Sequence, residues 1–343
     1  MKPAAWAEAL LAKHWWQPRR TGLSWMLQPL AWLYGRLVQA HRARSRTGRA
    51  PVPIIVVGNL VTGGAGKTPT VIALVQALAG LGKRPGVVSR GYGRRGSSPQ
   101  AVQADSTPQA VGDEPWVVQR RTGVPVWVGQ DRLAACLALC QAHPDIDVLV
   151  LDDGLQHHAL HHDAAVVVFD ERGVGNGALL PAGPMREPLP DVVPAHWRVL
   201  YTAGLRSTPW PGALAQRQIQ LAWPLDAWHA GDASRCLPLQ ALGGRPLLAA
   251  AGLAAPEKFF SMLEACGLHI DRLPLPDHHA YETLPWPAST AEIITTEKDA
   301  AKLAPSRMGS TGVWVVPLDL PLPDGFASEL LTLLHRAHHN HRP

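Results

Sequence analysis

The chain has 343 residues, 46% of them hydrophobic and only 17% charged, with a formal net charge of +5. That is enough chain for two domains with cores of their own, and the composition excludes a disordered or low-complexity protein. Cys136, Cys140, Cys236 and Cys266 have neither the short paired spacing of a zinc site nor the density of a disulfide framework, and read as thiols in a reducing compartment.

The first fifty residues stand apart. Trp6, Leu10, Leu11, Trp15 and Trp16 recur at helical spacing, and Leu23 to Val38 forms a second apolar stretch interrupted by Gln28 and Pro29. Basic residues bracket it, with Lys13, Arg19 and Arg20 before and Arg36, Arg42, Arg44, Arg46 and Arg49 after. The stretch is short for a bilayer span of about 20 residues and has no signal-peptide cleavage site. Tryptophans with flanking Arg and Lys, Trp25 among them, fit a helix lying in a membrane interface over residues 1–50. The competing reading is an amphipathic helix packed on its own protein.

From Pro51 the chain alternates strand and helix. Strand-like runs at Ile54–Val57, Pro85–Ser89, Val124–Val128, Val148–Leu151 and Ala165–Phe169 enclose helical ones such as Thr70–Leu81 and Arg132–Ala142. This rhythm predicts a parallel α/β sheet over 51–197, with ligands beyond the carboxyl ends of its strands. Directly after the first strand comes Val61-Thr62-Gly63-Gly64-Ala65-Gly66-Lys67-Thr68. Strand, glycine-rich loop, Lys-Thr and helix is the context of a phosphate-binding loop. Backbone N–H groups cradle phosphate oxygens, Lys67 reaches the β- and γ-phosphates, and the Thr68 hydroxyl sits on Mg²⁺. Val61 stands where the general pattern has its first glycine. Without a ligand the same segment is a tight turn.

Further along, Arg90 in Ser89-Arg90-Gly91-Tyr92-Gly93 ends the second strand, where it can grip a phosphate or lie on the surface. Asp113 in Gly112-Asp113-Glu114-Pro115 starts a helix, either as a cap or as the carboxylate that accepts a hydroxyl proton. Asp152 and Asp153 end the strand Leu149-Val150-Leu151, where a carboxylate is aimed at the metal beside a phosphate loop; an acidic Asp-Gly turn is the plainer reading. Two strand-like runs, Arg198–Tyr201 and Gln218–Ala222, predict a two-stranded linker over 198–224. A second α/β rhythm over 225–343 follows, with strands at Pro246–Ala251, Glu292–Thr295 and Val313–Val316 and helices at Glu257–Cys266, Lys298–Leu303 and Ser328–His335. Asp277-His278-His279 lies in that half, either as a polar loop or as a base-tuning histidine. His335, His338, His339 and His341 read as a solvated tail.

In this order these segments resemble the tetraacyldisaccharide 4'-kinases, the lipid A 4'-kinases of Gram-negative bacteria. Asp152-Asp153-Gly154-Leu155-Gln156-His157 and Leu180-Pro181-Ala182-Gly183-Pro184-Met185-Arg186-Glu187 are the most specific, joined by Asp277-His278-His279 and Thr296-Glu297-Lys298-Asp299-Ala300. The resemblance implies a P-loop kinase-like domain and a smaller α/β domain joined by the two-stranded linker, with an N-terminal membrane-associated helix. It implies transfer of the ATP γ-phosphoryl group to the 4'-hydroxyl of a tetraacyldisaccharide 1-phosphate, giving lipid IVA, with Mg²⁺. Asp113 then looks like the base, His278 its partner, Val61 to Thr68 the nucleotide loop, and Thr68 with Asp152 or Asp153 the metal site. Arg90 and Glu187 are implied active-site residues, Arg90 toward substrate and Glu187 toward the metal. The implied partners are the lipid A disaccharide precursor and the cytoplasmic face of the inner membrane, held peripherally or by a single helix, with no obligate protein partner.

A regulatory P-loop NTPase switch competes with this reading. Against it, Thr62 stands where the deviant-loop ATPases carry a signature lysine, and Thr296-Glu297-Lys298-Asp299 has its lysine one place late for guanine recognition. A nucleic-acid binder has no supporting motif.

Overall fold

A computed structural model describes residues 11, 13–45, 47–94 and 96–339, the side chains of the last three excepted. Trp6, Leu10, Arg46 and His341 lie outside these residues, so their predicted places are not part of the description.

Two twisted sheets organise the chain. The first contains β1 (Ile54–Gly58), β2 (Pro85–Ser89), β3 (Gln100–Ala101), β4 (Val126–Val128), β5 (Val148–Asp152), β6 (Ala164–Phe169), β7 (Trp197–Tyr201) and β8 (Ala213–Leu214), in the order β3-β4-β2-β5-β1-β6-β7-β8. All its pairings are parallel except β3 with β4. Strands β1, β2, β5 and β6 are buried at every position, as expected of a sheet covered on both faces. The second sheet contains β9 (Leu221–Pro224), β10 (Leu237–Pro238), β11 (Leu247–Ala251), β12 (Ile270–Pro274), β13 (Glu292–Thr296) and β14 (Gly312–Val316), in the order β10-β9-β14-β13-β11-β12. Its β12-β11-β13-β14 portion is parallel, and β9 closes antiparallel on β14.

The hydrophobic core explains how the sheets join. Alternate residues of the first sheet (Ile55, Val57, Val150, Val166) pack with Leu74, Val75 and Leu78 of the Lys67–Gly80 helix. The same cluster continues through Trp116, Val117 and Trp228 to Ile293 and Val315 of the second sheet and Leu330 of the Phe326–His339 helix. Burying such side chains is worth roughly 1.5–3 kcal/mol each. The opposite face of the first sheet has its own core around Leu139, Leu149, Phe169 and Tyr201, and the far face of the second has another around Phe260, Leu263 and Ile294.

The linker expected over 198–224 takes a different form. Its first strand belongs to the first sheet, where β7 pairs with β6 from Ala165↔Trp197 to Phe169↔Tyr201. Its second is β9 of the second sheet. The two arms meet through an antiparallel bridge, Ala203↔Gln216. Leu200 and Tyr201 are fully buried, and completing the edge beside β6 covers them better than an isolated ribbon could. The helix expected over Lys298–Leu303 is a single turn, Glu297–Ala300, capped by Thr296, whose Oγ1 accepts from the Asp299 N–H at 3.3 Å.

Candidate active site

The phosphate loop leaves β1 and enters the Lys67–Gly80 helix, so its backbone N–H groups stand at a helix N-terminus beyond a parallel strand. Gly63 and Gly66 have φ of 86° and 91°, a region that favours glycine, and Gly66 is the residue that caps the helix. The loop is fixed from three sides. Thr62 N–H donates to Pro184 O at 2.9 Å, Thr202 Oγ1 donates to Ala65 O at 3.0 Å, and Arg172 Nη2 donates to Gly64 O at 3.0 Å. A Cβ on Gly66 would meet Thr202 Oγ1 at 3.2 Å. Gly66→Ala therefore forces both an unfavourable φ, costing about 1–2 kcal/mol, and a shift of Thr202. The expected result is a lowered Tm together with a raised KM for ATP, read by thermal melts and steady-state kinetics.

Lys67 lies mostly buried between Asn59 Oδ1, at 3.3 Å, and Asp153 Oδ1, at 3.6 Å. Asp153 sits at the tip of β5 with φ 51° and also accepts from Arg186 Nη1 at 3.0 Å. Burial pushes its carboxyl up, but Lys67 and Arg186 outweigh that and hold it below the usual carboxylate range. Asp152 behaves differently. It is buried, accepts from Ser89 Oγ at 3.3 Å through one oxygen, and its Oδ1 has no hydrogen-bond partner. Burial, with the charges of Glu114 and Asp153, pushes its carboxyl up to about 7. A buried, unsatisfied carboxylate oxygen one strand from a phosphate loop is what an incoming cation would neutralise.

Asp113 begins the Asp113–Thr122 helix, next to Gly112 at φ 96°. Its Oδ2 accepts from His278 Nδ1 at 3.1 Å and from Lys302 Nζ at 3.1 Å. Burial pushes this carboxyl up, but the His278 hydrogen bond and the Lys302 charge hold it below its ordinary value. His278 Nε2 lies 3.3 Å from Lys298 Nζ. An ammonium only donates, so Nε2 accepts and Nδ1 carries the proton given to Asp113. Lys298 is in turn held by Glu114 Oε1 at 3.2 Å and Asp277 Oδ1 at 3.6 Å. Asp113 comes from a helix of the first sheet, whereas His278, Lys298 and Lys302 come from the second, so the network crosses between the two halves. The same helix is held at its other end, where Arg121 reaches Glu297 Oε2 at 2.7 Å and Asp319 Oδ1 at 2.5 Å.

Residues 23–335 match the sequence profile of the family described as LpxK, tetraacyldisaccharide-1-P 4'-kinase. The chain belongs to this family. It is 53% identical to the tetraacyldisaccharide 4'-kinase of Leptothrix cholodnii over 322 residues, which is 91% of this chain and 92% of that protein. To the tetraacyldisaccharide 4'-kinase of Methylibium petroleiphilum it is 48% identical over 337 residues, 95% of this chain and 94% of the relative. The fold is similar to the crystal structure of LpxK from Aquifex aeolicus in complex with ATP, with a TM-score of 0.74 at 26% identity over 92% of this chain and 99% of that one.

Among the residues expected from sequence, Asp113 and His278 are in direct contact, and Lys67 stands beside Asp153. Arg90 is exposed at the end of β2. Glu187 is set apart from the two aspartates' contacts: its Oε1 lies 3.4 Å from His158 Nε2. Among the described residues no three His, Cys, Asp or Glu side chains converge to hold a metal. Sequence reasoning passed over Asn59, Arg172, Thr202 and Lys302. Asn59, directly after β1, carried a readable signal as the polar residue at the mouth of a buried strand. Lys302 carried another, four residues after Lys298. Arg172 and Thr202 follow β6 and β7, and only the strand order brings them to the loop.

Proposed function

We propose that this kinase transfers the γ-phosphoryl group of ATP to the 4'-hydroxyl of a tetraacyldisaccharide 1-phosphate, giving lipid IVA, with the roles set out here. The observation that carries the reading is Asp113: a carboxylate gripped through one oxygen by His278 and Lys302, at the start of a helix that packs on the Lys67–Gly80 helix leaving the phosphate loop. The 4'-oxygen attacks the γ-phosphorus, the bond from γ-phosphorus to the β–γ bridging oxygen breaks, and ADP leaves. Both contacts to Asp113 fall on Oδ2, which leaves Oδ1 to accept the sugar proton. His278 and Lys302 fix the orientation of that carboxylate. Lys67 and the loop N–H groups bind the phosphates and balance the charge that develops on them. Thr68 and Asp152 Oδ1 fit Mg²⁺, which needs few protein ligands because phosphate oxygens and water fill the rest of its shell. Bound there, the ion would neutralise charge on the β- and γ-oxygens. Arg90, at the end of β2, suits the anionic substrate.

The test is transfer of label from γ-labelled ATP to the tetraacyldisaccharide in the presence of Mg²⁺. Label in the lipid supports the kinase. Hydrolysis indifferent to lipid but raised by a protein partner would support the switch instead.

The acceptor brings the enzyme to a membrane, since each acyl CH₂ drawn into water costs roughly 0.8 kcal/mol. In the Gly22–Met26 and Gln28–Arg44 helices, Met26, Leu30, Leu33 and Leu37 follow one another at spacings of four, three and four and are 79%, 53%, 50% and 61% exposed. Trp25 and Trp32 flank this stripe, with the guanidiniums of Arg20 and Arg36 over their rings. Trp15, in contrast, is buried and donates to Pro181 O at 2.9 Å, and Trp16 lies under Arg172, so these two face the protein itself. No helix among the described residues is long and apolar enough to cross a membrane. We read the stripe as a peripheral anchor on an anionic surface, the cytoplasmic face of the inner membrane, with Arg42 and Arg44 meeting head groups. Replacing Leu30, Leu33 and Leu37 together with glutamate is expected to reduce sedimentation with anionic lipid vesicles at least tenfold without changing Tm. Unchanged sedimentation would remove the anchor from this face.

A further inference from the structure

The Asp113 carboxylate has two donors, and Lys302 is the more deeply buried. Its side chain is 4% exposed, against 30% for His278. Its Nζ lies 3.1 Å from Asp113 Oδ2 and 4.0 Å from Asp299 Oδ1, with the Tyr281 ring 5.7 Å away. Asp299 has donors of its own: Gly252 N–H at 3.1 Å from each carboxylate oxygen, and Thr296 Oγ1 at 2.7 Å. The Lys302 charge is therefore directed chiefly at Asp113. Lys302 thus places an ammonium in direct contact with the carboxylate.

We infer that Lys302 is a positioning residue for phosphoryl transfer, pinning Asp113 Oδ2 so that the carboxylate stays charged and presents Oδ1 to the acceptor hydroxyl. The inference rests on the reading of Asp113 as proton acceptor. It assigns the turn after β13 a part in the chemistry: the acceptor is complete only while that turn is docked on the Asp113–Thr122 helix. The other groups facing this point are Lys298 beside His278, the carboxylates Glu114 and Asp277 around Lys298, and Asp299 behind Lys302. Without Lys302 the carboxylate loses its nearest cation and keeps His278 as its direct donor, so protonation competes at higher pH.

The test is the pH profile of kcat for Lys302→Met, which keeps the length of the apolar stem and removes the ammonium, beside Lys302→Gln and Lys302→Arg. Methionine and glutamine are expected to move the acid limb upward by about one pH unit or more, with KM for ATP little changed. Arginine should return the limb to its wild-type position. If Met and Gln lower kcat equally at every pH and leave the limb in place, Lys302 is only packing and the inference fails. Asp113→Asn, run in parallel, separates the two readings. Full activity in that variant would remove the acceptor itself, whereas an inactive Asn variant with an unmoved Met and Gln limb would overturn Lys302 alone. Should Met not fold, the Gln and Arg pair gives the same comparison.

Discussion

Replacing Lys67 with alanine is expected to lower kcat/KM for lipid phosphorylation by on the order of 10³-fold, with the fold intact. The side chain is 12% exposed and held by Asn59 at 3.3 Å and Asp153 at 3.6 Å, at the N-terminus of the Lys67–Gly80 helix. Its ammonium is therefore oriented before any triphosphate arrives. Charge that grows on the transferred group meets a fixed counter-charge with little reorganisation. Truncation removes that counter-charge but leaves Asp153 paired with Arg186 at 3.0 Å, so the stability cost stays near 1 kcal/mol. Steady-state kinetics and a thermal melt on the same preparation check both halves. A variant that keeps most of its activity would mean that the loop does not hold the reacting phosphates.

The second large effect belongs to Asp113. Asp113→Asn is expected to lower kcat by roughly 10²- to 10⁴-fold, because an amide preserves the shape and an acceptor for Lys302 but cannot take the sugar proton. Alanine is the poorer probe. It leaves the buried Lys302 ammonium without its closest partner, a loss of about 3 kcal/mol that would mix folding with catalysis. The Asn variant also makes a pH prediction. Asp113 is held below its ordinary value in the folded protein, so its contribution to stability is complete above the unfolded value of about 3.9. That contribution is lost as pH falls through the folded value. The stability difference between wild type and Asn variant should thus be constant at neutral pH and shrink below about pH 4. Denaturant titrations across that range measure it. A difference that grows on acidification would contradict the assigned pairing.

The parallel sheet was legible because its strands are short apolar runs that end in chemistry: Val57 before the glycine loop, Ser89 before Arg90, Leu151 before Asp152. Each local signal matched the element that formed. The contact between Asp113 and His278 could not come from spacing, since the two are 165 residues apart and meet through packing of two sheets on one core. The partners of the two strands expected as a linker were not legible for a related reason. Trp197–Tyr201 looks like any amphipathic strand, and which partner it takes depends on the open edge of β6, which no local pattern displays. The N-terminal tryptophans illustrate the limit of composition. Trp15 and Trp25 read alike in sequence, yet one donates to the Pro181 carbonyl and the other is 61% exposed. Helix phase relative to the Asn176–Met185 loop decides between them, with Ala31 and Gly35 turned toward Ala178, Leu179 and Ala182.

That packing also ties the proposed membrane face to the site. Tyr34 OH donates to Arg186 O at 3.1 Å, and Arg186 holds Asp153 beside Lys67. The exposed stripe and the phosphate loop are thus separated by a short chain of direct contacts.

The most direct measurement is the ³¹P NMR spectrum of the lipid recovered after incubation of the enzyme with ATP, Mg²⁺ and tetraacyldisaccharide 1-phosphate. A new phosphomonoester signal coupled to the 4'-proton of the distal sugar, absent when Lys67→Ala replaces the wild type, is the predicted result. A lipid carrying only its original 1-phosphate while ATP is consumed would contradict the account.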